Sequence, residues 1–427
     1  MSVRSSSVSW WGAACLVLLL PAGLGAQQPP TRIDSRHAQL GLPTGAGADW
    51  RQWDSLLTNV VKKVAQDIGE QRREQLRDLF VDSRYQLVQA FSSGSSDPVP
   101  RLFLDTWNRL SPILKQARAG LPQQTASQYS SFISAMDGLA SLGSLGEGLG
   151  LFRVTPDALR GASALLGMGD ADPLAYTLDV DSGLRTLLGF GGTLPPPRVS
   201  PAVDYGRLRS PGGPGDPDAA AAWRGWFITS AFAAEGDFDR LNQWVPEAPE
   251  LPDYLVEVRK LLTQASAGTL ARSRLAPQHH ALYRQVILAA AWQESCWRQF
   301  VRKGAKLTPL ASATGDLGMM QVNRNTWRSL YDINGLAGDI AYNSNAGSEI
   351  LLYYLTRFAI ARKEDKQPGG HLARATYSAY NGGPGHLGRY RNAKTIAALK
   401  KVDEAFLTKF RAVSAGQELA VKSCYGK

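Results

Sequence analysis

From Trp50 onward, apolar residues recur at three- and four-residue steps: Trp53, Leu56, Leu57, Val60, Val61 and Val64. That spacing places them on one face of a helix. A second helical run covers residues 69–91, with Leu76, Leu79, Phe80 and Leu87 on one side. The stretch SSGSSDPVP at 92–100 breaks the pattern, and helices are expected again over 101–119 and 125–139. Glycines at 138, 143, 146, 148 and 150 read as a flexible connection. It is not a phosphate loop, because no strand precedes it and no Lys-Ser/Thr closes it. Pro156 stands where the first-turn proline of a helix over 157–166 would stand. Residues 193–219, dense in Pro and Gly, form the clearest boundary in the chain. Helical runs follow at 220–234, 254–265 and 277–300. Alternating β-branched runs are few and no repeat of fixed period is visible, so the expected fold class is all-α or mostly so.

The first residues have a different pattern. A polar lead with Arg4 precedes an apolar run at 10–20, Pro21 and the small residues 22–26. This is the order of a secretory signal peptide. The run is shorter than the roughly 20 residues a spanning helix needs. The other reading is an uncleaved anchor, but no stop-transfer pattern follows. Cys15 lies inside the run, whereas a lipid-acceptor Cys should follow it. The expected organisation is a signal peptide (1–26), a leader (27–48), a helical region (49–192), a linker (193–219) and a C-terminal domain (220–427). No transmembrane segment is expected after cleavage. Removing the signal leaves Cys296 and Cys424, a candidate disulfide in an exported chain. The alternative is a buried free Cys296 and a loose Cys424.

Composition excludes general disorder, with 44% hydrophobic and 20% charged residues over 427 positions. The net charge of +10 changes the picture only when divided along the chain. Residues 1–269 have a balance of −3, and residues 270–427, with 23 basic and 10 acidic residues, have +13. The surplus is local, which points to one basic site rather than a general polyanion binder. Nucleic acid is not an expected partner, because no recognition module is visible and the chain has an export signal.

Candidate chemistry falls in the same basic third. Val286, Ile287, Ala290 and Ala291 make a helical stripe, and Glu294 lies three and four residues beyond the last two. A carboxyl on that buried face, with Trp297 at i+3, should resist ionisation, as a general acid near neutrality must. The plain alternative is a helix glutamate paired with Arg298 at i+4. His279 and His280 are adjacent and cannot both face one ion from a helix side, so no metal site is expected there.

Four blocks appear in order over residues 277–391. Glu294-Ser295 comes first, then Ser312 through Gly315, Gly318, Met320 and Gln321, then Asn343 with Gly347, then Ala379-Tyr380-Asn381-Gly382-Gly383. This part of the chain resembles the catalytic domain of soluble lytic murein transglycosylases, a lysozyme-like fold. The resemblance implies an enzyme that cleaves peptidoglycan glycan strands between N-acetylmuramic acid and N-acetylglucosamine, without a cofactor. It implies that Glu294 is the single catalytic acid and that Ser295 helps fix the site. Met320 and Gln321 would line the groove, and Tyr380 and Asn381 would face the carboxylate and the sugar N-acetyl group. Asn343 and Gly347 would form a supporting helix start, with Asn343 either a cap or a ligand. Most glycosidases use two carboxylates. The blocks supply one acid, and Asp316 is the nearest second candidate.

Glu294 and Ser312 are 18 positions apart, about twice the family's spacing. The extra stretch includes Arg298, Arg302, Lys303 and Lys306, which would either contact carboxylates of the peptide stems or form a solvated face. Two other functions fit the same residues: a hydrolytic lysozyme, or a non-catalytic peptidoglycan-binding scaffold. The helical N-terminal region would be a platform for the catalytic domain or a docking module for wall-synthesis proteins.

Overall fold

The computed structural model describes residues 49–92, 99–146, 153–168, 172–198 and 238–425. The expected signal peptide and leader, most of the linker and the helix expected at 220–234 lie outside the described residues. Helix α1 (Trp50–Asp67) starts at a capping box, in which Asp49 accepts from the backbone of Arg51 and Gln52, and Gln52 accepts from the backbone of Asp49. It buries the stripe of Trp53, Leu56, Leu57, Val60, Val61 and Val64. Helices α2 (Glu70–Ser92) and α3 (Val99–Arg118) pack against it, and α4 (Gln123–Gly146) packs against α3. Trp107 of α3 meets Phe132 of α4 edge-on at 5.7 Å and donates to Asp137 at 2.8 Å. α4 continues through Gly138 and Gly143, where a flexible connection was expected. Leu139 and Ala140 pack against the core there, which offsets the modest helix cost of each glycine. Helices α5 (Pro156–Leu165) and α6 (Ser182–Leu187) complete the N-terminal set, α5 with Thr155 as cap and proline in its first turn.

The described residues form one compact unit with a continuous core. The contact between its N- and C-terminal parts is polar as well as apolar. Asp54 of α1 pairs with both Arg84 of α2 and Arg328, and all three are almost fully buried. Arg84 also donates to the carbonyls of Thr326 and Arg328. Arg185 of α6 donates to Leu330 O at 2.6 Å and Glu349 at 2.8 Å, and Tyr353 donates to Asp78 of α2 at 2.9 Å. Removing one partner of such a buried cluster costs on the order of 3–5 kcal/mol, because it leaves uncompensated charge.

The C-terminal part is built on α7 (Leu251–Ala271) and α8 (His280–Ser295), which pack against α10 (Ile340–Tyr354), α11 (His371–Gly382) and α12 (Ala397–Ser414). The short α9 (Ile333–Gly338) precedes α10. Two small antiparallel pairs interrupt the helices: β1 (Phe300–Lys303) with β2 (Lys306–Pro309), and β3 (Asp316–Leu317) with β4 (Val322–Asn323). The fold is therefore mostly rather than wholly α. No helix of the described residues is long and apolar enough to cross a membrane.

The helix expected over 277–300 stops at Ser295. Cys296 and Trp297 both take positive φ, 54° and 62°, and turn the chain out of the helix. Both are held there: Cys296 is bonded to Cys424, with Cα atoms 6.1 Å apart, and the buried Trp297 donates from Nε1 to Leu288 O at 3.0 Å. Trp297 therefore packs into the core. Arg298 donates to Cys424 O at 2.8 Å and lies over Tyr425, so the expected alternative pairing with Glu294 does not form.

Candidate active site

Glu294 stands in the last turn of α8 and opens into a cleft of about 220 Å³. Its Oε1 accepts from Tyr377 Oη at 2.8 Å and, at 3.5 Å, from Asn381 Nδ2. Both donors come from α11, one helical turn apart and so on one face. Tyr377 is fixed by stacking on Phe406 of α12, with ring centres 4.1 Å apart and planes 3° from parallel. Asn381 is fixed from behind: its Oδ1 accepts from Arg389 at 2.9 Å, and Arg389 is paired with the buried Asp403. Burial pushes the Glu294 carboxyl from the ordinary 4.5 up to about 7. The Tyr377 hydrogen bond works against that rise, and the negative charge of Asp316 adds to it. A carboxyl in this state can hold a proton near neutral pH and give it up again.

The loop facing Glu294 is shaped by two buried amides. Gln299 accepts from Met319 N at 2.7 Å and donates to the carbonyls of Leu336 and Ala337. Asn343 accepts from Met320 N at 2.7 Å and donates to Leu317 O and Leu336 O, each at 2.8 Å. Gly318, at φ 69°, passes between them; a Cβ there would come within 2.5 Å of both amide side chains. Gly347 of α10 leaves room for Met320, whose Cγ would lie 2.5 Å from an added Cβ. Met320 is consequently buried, not on the groove wall as expected. Gln321, at φ 47°, does line the cleft and donates back to Gly318 O at 2.7 Å.

Several other expected residues occupy places that differ from the sequence reading. Asn343 is neither a cap nor exposed to a ligand: Asp339 caps α10, accepting from Ala341 N and Tyr342 N, and Asn343 clasps the loop. Ser295 ends α8, donating to Ala291 O and accepting from Arg298 N, and is buried. Tyr380 lines the cleft, but its hydroxyl donates to Met320 O rather than to the carboxylate. Tyr377 makes the contact with Glu294. The only sequence signal for it was its position four residues before Asn381; Tyr380, adjacent to Asn381, lies about 100° round the helix.

Asp316 of β3 lines the same cleft. Its carboxylate accepts from Ser312 Oγ at 2.5 Å, Thr314 Oγ1 at 2.6 Å and Asn323 Nδ2 at 2.8 Å. Among the described residues, no Lys or Arg lines the cleft, so the basic site expected from the local charge surplus does not coincide with the cleft lining. Arg302, Lys303 and Lys306 lie on the exposed β1–β2 hairpin, whose Phe300 and Leu307 pack on Val245. None of them lines the cleft, and the solvated-face reading fits that placement.

The C-terminal part also has a match outside its geometry. Residues 274–402 match the model of the family described as "Transglycosylase SLT domain". No curated protein and no solved structure matches the chain. The matched stretch contains α8, both hairpins, α10, α11 and the start of α12, and so includes Glu294, Asp316, Tyr377, Asn381 and Arg389. Residues 274–402 are a transglycosylase SLT domain, of the lysozyme-like fold that acts on peptidoglycan, joined to a helical N-terminal region outside the match.

Proposed function

We propose that the protein is a lytic transglycosylase that cleaves the bond between N-acetylmuramic acid and N-acetylglucosamine in peptidoglycan. The observation that carries this reading is Glu294, raised to about 7 in a cleft and held by Tyr377 and Asn381. Glu294 donates its proton to the glycosidic oxygen as the C1–O bond breaks, and the N-acetylglucosamine 4-hydroxyl leaves. Positive charge at C1 is stabilised by the substrate's own acetamido oxygen, and the Asp316 carboxylate adds a favourable field from the same cleft. Glu294, now ionised, takes the proton of the muramic 6-hydroxyl, and O6 closes on C1. The acid regains its proton, the product ends in 1,6-anhydromuramic acid, and no water is consumed. Asn381 is the donor placed to orient the acetamido group, because the Tyr380 hydroxyl is committed to Met320 O.

Asp316 also favours a second reading. Two carboxylates in one cleft, one desolvated and one fully hydrogen-bonded, are the acid and the nucleophile or stabiliser of a retaining hydrolase. In that case water attacks C1 and the fold acts as a lysozyme. Purified sacculi test the shared claim: wild type should solubilise them and Glu294→Gln should not. An inactive wild type would support a binding scaffold instead. Asp316→Asn divides the two chemistries, with a loss of about tenfold expected if Asp316 only contributes a field and of 100-fold or more if it is the nucleophile.

Export to the periplasm belongs to the same proposal. It is supported by the signal-like order of residues 1–26 and by the Cys296–Cys424 bond, which suits an oxidising compartment.

A further inference from the structure

The N-terminal region had no chemistry assigned from its sequence, but its second helix reaches the reacting centre. Tyr85, Val88 and Gln89 of α2 line the same cleft as Glu294. The helix is anchored on two sides of that cleft. On one side, Arg84 donates to the carbonyls of Thr326 and Arg328, and Thr326 itself lines the cleft. On the other, Tyr85 Oη donates to Tyr380 O at 3.1 Å and Gln89 Nε2 to Gly382 O at 3.5 Å. The Tyr85 ring lies so close to Gly383, at φ 88°, that a Cβ there would come within 2.9 Å of the ring. α2 is therefore held in register with both the 326–328 and the 380–383 segments.

We propose that α2 is one wall of the glycan-binding site, with Val88, Gln89 and the Tyr85 ring contacting an N-acetylated sugar of the strand. Substrate selection is then shared between the SLT domain and a helix about 200 residues upstream of its acid. The chemistry of the wall selects the ligand class. Val88 and Tyr85 offer apolar surface, which fits the C–H face of a pyranose or an acetyl methyl group. Gln89 is exposed and offers an amide, the complement of an acetamido group. Asp316 puts a carboxylate in the cleft and no Lys or Arg among the described residues lines it, so the wall suits the uncharged acetamido and C–H surfaces of the strand rather than its carboxylates.

This inference rests on the peptidoglycan-cleaving reading, and its test separates the two. The probe is peptide-free glycan strands, prepared by amidase treatment, and binding is measured by calorimetry to the full chain bearing Glu294→Gln so that no cleavage intervenes. The parent should bind. Adding Gln89→Ala should weaken binding about 3- to 10-fold, the effect of losing one neutral hydrogen bond. Adding Val88→Trp, which places an indole in the cleft, should weaken it at least about tenfold. Thermal midpoints should stay near the parent's; if Val88→Trp lowers its midpoint, the exposed Gln89→Ala decides. A parent that binds while the folded variants bind equally well overturns the wall. A parent that fails to bind overturns the glycan reading and the wall with it. With Glu294 intact, Gln89→Ala should raise KM and hold kcat, whereas a fall in kcat at unchanged KM would make α2 a brace for Gly382 and overturn the contact.

Discussion

Glu294→Gln should stabilise the protein as it inactivates it, and the gain should depend on pH. Burial raises the carboxyl from 4.5 to about 7, so the unfolded chain gives up this proton at lower pH than the folded one does. Below pH 4.5 both states hold the proton and the group contributes nothing. Between 4.5 and about 7 the unfolded state is increasingly favoured, and above 7 the cost is constant. At about 1.4 kcal/mol per pH unit, the cost reaches roughly 3 kcal/mol. Glutamine has the same shape, can accept from Tyr377, and carries no charge. The difference in unfolding free energy, variant minus wild type, should therefore rise by about 3 kcal/mol from pH 4 to pH 8. Urea titrations followed by tryptophan fluorescence at several pH values would measure it. The wild-type cleavage rate should fall over the same upper range, as the acid loses its proton. A stability difference that stays flat from pH 4 to pH 8 would refute the desolvated-acid argument.

Tyr377→Phe keeps the stack on Phe406 but removes a donor from the ionised carboxylate. The alkaline limb of the pH–rate profile should move up and kcat should fall about tenfold. Asp54→Asn leaves Arg84 and Arg328 buried without their counter-charge, and should cost about 3–5 kcal/mol in denaturant unfolding. Cys424→Ser opens a 128-residue loop and should lower stability by up to about 4–5 kcal/mol by the loop-entropy argument, with reductant reproducing the loss in wild type and not in the variant.

The fold class was legible because helix faces are written locally: the α1 stripe and the first-turn Pro156 stand where three- and four-residue spacing puts them. Glu294, Gln321 and Asn381 were legible as members of ordered blocks, and all three line the cleft. Met320 was misplaced because its direction depends on the Gly318 turn and on the space left by Gly347, neither of which spacing reveals. Tyr377 and the Asp403–Arg389 support were missed because their roles depend on how α11 is rotated against α12. The end of α8 was missed because two non-glycine residues take positive φ, held there by a disulfide and a buried indole. The contribution of α2 is a tertiary fact, as nothing local to Tyr85 or Gln89 refers to a carboxylate 200 residues away.

The central claim is that Glu294 passes a proton between two hydroxyl oxygens of the same glycan strand and that no water enters the reaction. Digesting purified sacculi in ¹⁸O-labelled water and weighing the released muropeptides tests it directly. The account predicts muramic ends lighter by one water than reducing ends, with no ¹⁸O at C1. Reducing ends with ¹⁸O at C1 would contradict it and make Asp316 the second carboxylate of a hydrolase.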